Sequence, residues 1–235
     1  MCGMPTLPPS TPALSLPGFD LAGTSACVYR QGGDYHDFLA VDDGRLAVAV
    51  GDVSGHDGVA AILVDQVRAV LRAGPARPGG LGRLMERINR ELSARAQAGR
   101  FMTLFLAVLG AGARSIHWVS AGHGPAMAYD PVADRFEEVM GLDIPLGIDP
   151  KWRYHELVHV GWPAGAVLVV GTDGVTEARN PDGEMYGIER MRLAVRAAAG
   201  ASADGIMRAV SADLEIFRRG RPQDDDVTLV VVKAS

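Results

Sequence analysis

Two cysteines, Cys2 and Cys27, are the whole thiol content of this 235-residue chain. They are too few and too far apart for a disulfide framework or a thiolate zinc site, and a reducing compartment suits them. Aromatic residues are sparse, and no basic run interrupts a formal net charge of −5, which excludes extensive nucleic-acid binding. No apolar stretch approaches the ~20 residues needed to cross a bilayer, and no basic segment precedes an apolar one at the N-terminus. These absences give the expectation of a cytoplasmic protein that binds neither nucleic acid nor membrane. What the chain does have is hydrophobic content, 48% of its residues, enough for one large core. Residues 1–18 (MCGMPTLPPSTPALSLPG) are rich in Pro, Ser and Thr and are expected to form a flexible leader, with a single folded domain over 19–235.

The apolar pattern predicts about ten strands: 20–29, 37–41, 45–51, 102–109, 115–119, 125–129, 135–139, 154–160, 166–170 and 227–232. Asp42-Asp43-Gly44 and Gly110-Ala111-Gly112 are hairpin signals between them. Val59, Ile62, Leu63, Val67, Val70 and Leu71 recur at helical spacing, as do Leu81, Leu84, Met85, Ile88 and Leu92. Two further helices are expected over 188–198 and 203–217. Helices in pairs between blocks of strands do not fit a doubly wound parallel sheet. They fit an α+β fold, a four-layer α-β-β-α sandwich of two mostly antiparallel sheets flanked by helix pairs.

Aspartates stand beside glycine or at strand ends in four places: Gly33-Asp34 with Asp37 nearby, Gly51-Asp52, Thr172-Asp173-Gly174, and Asp224-Asp225-Asp226 before Val227. Each alone reads equally well as a turn former or a helix N-cap. Together they are costly to gather, since two unit charges about 4 Å apart repel by about 4 kcal/mol at an effective dielectric of about 20. Bound cations reverse that sign. Carboxylate oxygens suit Mn²⁺ or Mg²⁺, whereas zinc ordinarily takes His or Cys. A two-metal carboxylate site, suited to phosphate-ester hydrolysis, is the expectation.

The segments Gly32-Gly33-Asp34-Tyr35-His36-Asp37-Phe38, Gly51-Asp52-Val53-Ser54-Gly55-His56, Met102-Thr103-Leu104-Phe105 and Ala121-Gly122-His123 carry a resemblance, in order and spacing. So do Pro145-Leu146-Gly147-Ile148, Thr172-Asp173-Gly174-Val175-Thr176-Glu177-Ala178, Tyr186-Gly187 and Asp225-Asp226-Val227-Thr228. The chain resembles the PPM family of metal-dependent Ser/Thr protein phosphatases, in its bacterial SpoIIE-like and RsbU-like branch. The resemblance implies two antiparallel sheets face to face with helices outside. It implies Asp52 as the carboxylate bridging two Mn²⁺ or Mg²⁺ ions, Val53 as a backbone-carbonyl ligand, and Asp173 and Asp225 as ligands of the second ion. Asp34 resembles the first acidic motif, reaching a metal directly or through water, with Asp37 a weaker candidate. The implied nucleophile is metal-bound water, so no side chain is assigned to catalysis, and no substrate-binding residue is assigned.

The implied substrate is phosphoserine or phosphothreonine on a protein, in this branch an anti-sigma factor antagonist of a partner-switching pathway. Control would then come from a partner, from homodimerisation or from expression. The chain departs from the pattern at Asp57, where the branch has glycine, and at Ser54, where eukaryotic relatives have a histidine suggested as general acid. The leaving-group acid stays open. His56 and His123 read as turn-holding residues, Arg30 as a surface residue able to meet phosphate, and Thr172 and Thr228 as groups that order neighbouring carboxylates. The competing reading is a pseudophosphatase acting as a docking module, which the intact acidic set argues against. Nucleotide cyclisation, suggested by Gly32-Gly33-Asp34, is rejected because Tyr35-His36 follows where Glu-Phe is required.

Overall fold

Every residue from Leu46 to Val50 is buried, as a strand covered on both faces requires. The computed structural model describes residues 16–28, 32–41, 44–55, 58–74, 77–95, 99–110, 114–139 and 141–235. Leu46–Val50 lies within β3 (Arg45–Val53), between β2 (Asp34–Val41) and β4 (Met102–Gly110). With β5 (Ser115–Ala121) and β8 (Leu157–His159), these form one five-stranded sheet in the order β2-β3-β4-β5-β8. The second sheet runs β1 (Phe19–Ala26), β10 (Val227–Ala234), β9 (Val167–Gly171), β6 (Ala126–Asp130), β7 (Arg135–Glu138). All strand pairings within both sheets are antiparallel.

Three apolar layers hold four structural layers. Val48, Val50, Phe105, Leu168 and Val230 fill the space between the sheets. The outer face of the β3 sheet packs on α1 (Gly58–Ala73) and α2 (Leu81–Ser93) through Leu63, Val67, Met85 and Ile88. The other sheet packs on α4 (Gly187–Ala198) and α5 (Ala203–Arg218) through Met191, Val195, Ile206 and Val210. The expected α-β-β-α sandwich is the one found.

The helical stripe of α1 is rotated from the one expected. Ala60, Leu63, Val64, Val67, Val70 and Leu71 are its buried residues, while Ile62 is 57% exposed. The small Ala60 lies on the packed side, and the observed set still recurs at the i, i+3, i+4, i+7 spacing. β8 is shorter than the 154–160 run suggested, because Tyr154 is buried in the α1/α2 layer and Glu156 turns to α2. Its carboxylate accepts from Gly79 N at 2.6 Å and Leu81 N at 3.0 Å. Among the described residues, no helix is long and apolar enough to cross a membrane.

Candidate metal centre

β3 runs on past Gly51, so Asp52 lies inside the strand, paired in register with Asp34 on β2 and with Thr103 on β4. Directly opposed residues of an antiparallel pair share a face, and like charges there are destabilising. The fold nonetheless builds this pair. Gly33 makes it possible: a Cβ there would stand 2.7 Å from the Val53 carbonyl oxygen and 3.2 Å from Asp52 Oδ1. The Gly33 carbonyl accepts from Val53 N at 3.1 Å, locking the first acidic loop onto the end of β3.

The second sheet delivers its carboxylates to the same end of the sandwich. Thr172 follows β9, and Asp173 opens the four-residue helix α3 (Asp173–Thr176). Thr172 does not cap that helix with its side chain; its hydroxyl donates to Asp34 Oδ2 at 2.8 Å and accepts from Thr228 N at 3.0 Å. Asp225 is exposed just before β10 and accepts from the Asp226 amide at 2.8 Å.

The electrostatics mark these groups as one site. Burial first, then the charges of Asp34, Asp173, Asp225 and Asp226, push Asp52 up to about 8. Burial pushes Asp34 up to about 7, opposed by hydrogen bonds from Thr228 and Thr172 and reinforced by Asp226 and Asp173. Asp173 is raised by burial, then by Asp225 and Glu177. Among the described residues, no three His, Cys, Asp or Glu side chains stand close enough together to hold a metal ion by themselves. The donor set still fits a hard cation: oxygen donors only, partly buried, with Asp52 raised by burial and by the charges of four neighbouring carboxylates. A cavity of about 170 Å³ opens beside Asp173 and Asp225, bordered by Glu177, Arg179, Arg218 and Asp224.

Asp34, Asp52, Val53, Asp173 and Asp225 therefore come to one end of the two sheets, while Asp37 does not. Alternation along β2 turns Asp37 to the α1 face, where it accepts from Arg72 Nη2 at 2.8 Å and Tyr35 Oη at 3.2 Å. His123 lies buried beneath the site, Nδ1 2.9 Å from Thr103 Oγ1. Burial drives it down to about 4, with a backbone contact to Gly171 in partial opposition. Its backbone closes a turn on Ser120. Arg30, His56 and Asp57 lie outside the described residues.

Asp226, named in the sequence as part of the last acidic segment, is given no role of its own there. Only 3% exposed, it accepts from Val28 N at 2.7 Å and Gly33 N at 3.0 Å, and so seats the loop that carries Asp34. The available signal was strand alternation, which puts Asp226 on the same face as Thr228.

The model of the family described as Stage II sporulation protein E (SpoIIE) matches residues 42–235. Phosphoserine phosphatase RsbU of Bacillus subtilis is 26% identical over 165 residues, covering 70% of this chain and 48% of RsbU, so the chain spans about half that relative's length. The crystal structure of the RsbU and RsbW domains of Rv1364c from Mycobacterium tuberculosis superimposes with a TM-score of 0.75 at 27% identity, over 93% of this chain and 60% of that one. The PP2C phosphatase domain of SpoIIE from Bacillus subtilis, with a fragment of its regulatory domain, shares the fold at TM-score 0.71 and 20% identity, over 91% and 63% of the two chains. With a family match over most of its length and the motif aspartates gathered at one end of the sandwich, the chain belongs to the SpoIIE family of PPM-type proteins.

Proposed function

We propose that this chain is a metal-dependent protein serine/threonine phosphatase, and that its substrate is a phosphorylated anti-sigma factor antagonist in a partner-switching pathway. The observation that carries the activity is the cross-strand pair Asp34–Asp52, facing Asp173 and Asp225 from the other sheet. A fold accepts such a concentration of carboxylates when a cation of opposite charge completes it. In this reading Asp52, Asp34, the Val53 carbonyl, Asp173 and Asp225 would hold the Mn²⁺ or Mg²⁺ ions. When bound, such ions supply Lewis acidity toward phosphoryl oxygens and toward water.

The chain's own residues supply position. Thr172 fixes Asp34 from the opposite sheet, Asp226 fixes the loop before it, and Gly33 lets the two acidic segments touch. The cavity beside Asp173 and Asp225 leaves space next to the ligands for residues flanking a phosphoserine. Similarity to the phosphoserine phosphatase RsbU and to a mycobacterial chain that joins RsbU and RsbW domains supports the antagonist reading.

Manganese-dependent hydrolysis of p-nitrophenyl phosphate, lost in Asp52→Asn and Asp173→Asn, is the expected result. Metal-independent turnover would overturn the mechanism, and no turnover at any metal concentration would favour a docking pseudophosphatase. Phosphorylated antagonist proteins from the same genome test the substrate: activity confined to unrelated phosphopeptides would remove the partner-switching assignment.

A further inference from the structure

Regular antiparallel pairing would close both sides of β3 where it ends. Its last ladder partners are Asp34 on β2, opposite Asp52, and Met102 on β4, opposite Val53. One step further, Gly33 stands opposite Val53 and Phe101 opposite Ser54, and a regular pair at either place would exchange two N–H···O=C bonds. Each makes only half of that exchange. The Gly33 carbonyl accepts from Val53 N at 3.1 Å, but the Gly33 N–H goes to Asp226 Oδ2 at 3.0 Å rather than to the Val53 oxygen. The Phe101 carbonyl accepts from Ser54 N at 3.0 Å, but the Phe101 N–H goes to Ser54 Oγ at 3.1 Å. The Ser54 carbonyl accepts instead from Arg100 Nη1 at 2.6 Å.

These diversions act on one oxygen. A peptide unit is planar and trans, so its C=O points opposite to its N–H. The unit joining Val53 to Ser54 gives its N–H to Phe101 on the β4 side, which turns the Val53 oxygen to the β2 side, where Asp34 pairs with Asp52. Its ladder donor on that side is the amide that Asp226 has taken. Ser54 and Arg100 hold the same unit through the next peptide: the hydroxyl replaces the Ser54 carbonyl as acceptor for Phe101, and the carbonyl turns to the guanidinium. Gly55 lets the guanidinium lie against the chain, since at φ +91° a Cβ there would collide with Arg100 Nη1.

We propose that Asp226, Ser54 and Arg100 together release the Val53 carbonyl from the sheet ladder and aim it at the cation as a hard oxygen ligand. The proposal rests on reading the Val53 oxygen as a metal ligand. The three are positioning residues: Asp226 removes the competing donor, and Ser54 and Arg100 hold the peptide plane. Ser54 thereby has a task at the position where eukaryotic relatives have a histidine.

The test uses the full chain, metal-free and labelled with ²H, ¹³C and ¹⁵N. Couplings across hydrogen bonds should join Ser54 N to the Phe101 carbonyl carbon and Val53 N to that of Gly33, with none from Gly33 N to the Val53 carbonyl carbon. Asp226→Ala should create that missing coupling by returning the Gly33 N–H to the ladder. It should also weaken Mn²⁺ binding, measured by calorimetry without substrate, by roughly tenfold, within the range for lost outer partners. Ser54→Ala and Arg100→Met should weaken binding as much, while Ser54→Thr, which keeps the hydroxyl, should bind as the wild type does; a purely packing role would not be rescued in this way. A coupling from Gly33 N to Val53 in the metal-free wild type, or wild-type Mn²⁺ affinity in Ser54→Ala and Arg100→Met, would overturn the proposal. Neither readout needs turnover. An inactive protein with these couplings and Mn²⁺ responses would remove the phosphatase reading and leave the aimed carbonyl standing, and an active, Mn²⁺-binding protein indifferent to these substitutions would do the reverse.

Discussion

At Asp52 the fold keeps a carboxylate inside a strand, opposite another carboxylate, where burial and negative neighbours raise it to about 8. Replacement by asparagine keeps the shape and removes the charge. Asp52→Asn is therefore expected to lose more Mn²⁺-dependent turnover than the roughly 10–100-fold that loss of an outer partner costs. Its metal-free form should melt no lower than the wild type at about pH 8. A large fall in its metal-free melting temperature would instead make Asp52 a structural residue. Gly33 carries a complementary prediction. Gly33→Ala pushes a methyl group to 2.7 Å from the Val53 carbonyl oxygen, and overpacking of this kind costs about 1–3 kcal/mol. Because that oxygen is itself a proposed ligand, Mn²⁺ affinity should fall together with urea stability; a variant stable as wild type would show that the loop has room to move.

At the scale of elements, α2 begins after Gly80 with no side-chain cap of its own, and Glu156, distant in sequence, fills the gap. Its carboxylate takes two amides at the helix start and lies 3.0 Å from His117 Nδ1. Glu156→Ala should cost about 1–2 kcal/mol in urea unfolding, the range for a lost N-cap with its dipole interaction, and leave Mn²⁺ affinity intact. A change confined to metal binding would refute this assignment. The same contact explains which elements were legible in the sequence. β3, β4, β9 and β10 are buried on both faces and declare themselves as apolar runs, and the long helices declare themselves by period. The extent of β8 was not legible, because Glu156 answers a helix on the far side of its sheet. Helix α3 is too short to have a period. Asp37 looked like a site residue because it stands three positions from Asp34, an odd number that strand alternation turns to the opposite face.

Over the whole molecule, each sheet brings part of the acidic set to one end of the sandwich, so metal binding, protonation and folding stability are coupled. Asp34 and Asp52 stand at about 7 and about 8 against an ordinary 3.8. Between those limits the folded chain holds protons that the unfolded chain has released, so these two groups make stability fall as pH rises through 7 and 8. Buried His36 and His123 act the other way. Their values are lowered from 6.5, so the unfolded chain takes up protons the folded one refuses, and their contribution increases with pH only up to about 6.5. Below that pH the two effects oppose each other; above it the carboxylates act alone. In the presence of a chelator, the melting temperature is therefore expected to fall between about pH 6.5 and 8. Cations compete with those same protons, so saturating Mg²⁺ or Mn²⁺ should raise the melting temperature more at pH 8 than at pH 6.5 and abolish the fall. Asp52→Asn removes one of the two titrating groups and should flatten the metal-free slope. Thermal melts of wild type and variant across this range decide the matter: a metal-free melting temperature that climbs from pH 6.5 to 8, or a metal-induced rise independent of pH, would mean that the gathered carboxylates are not the groups on which cations act.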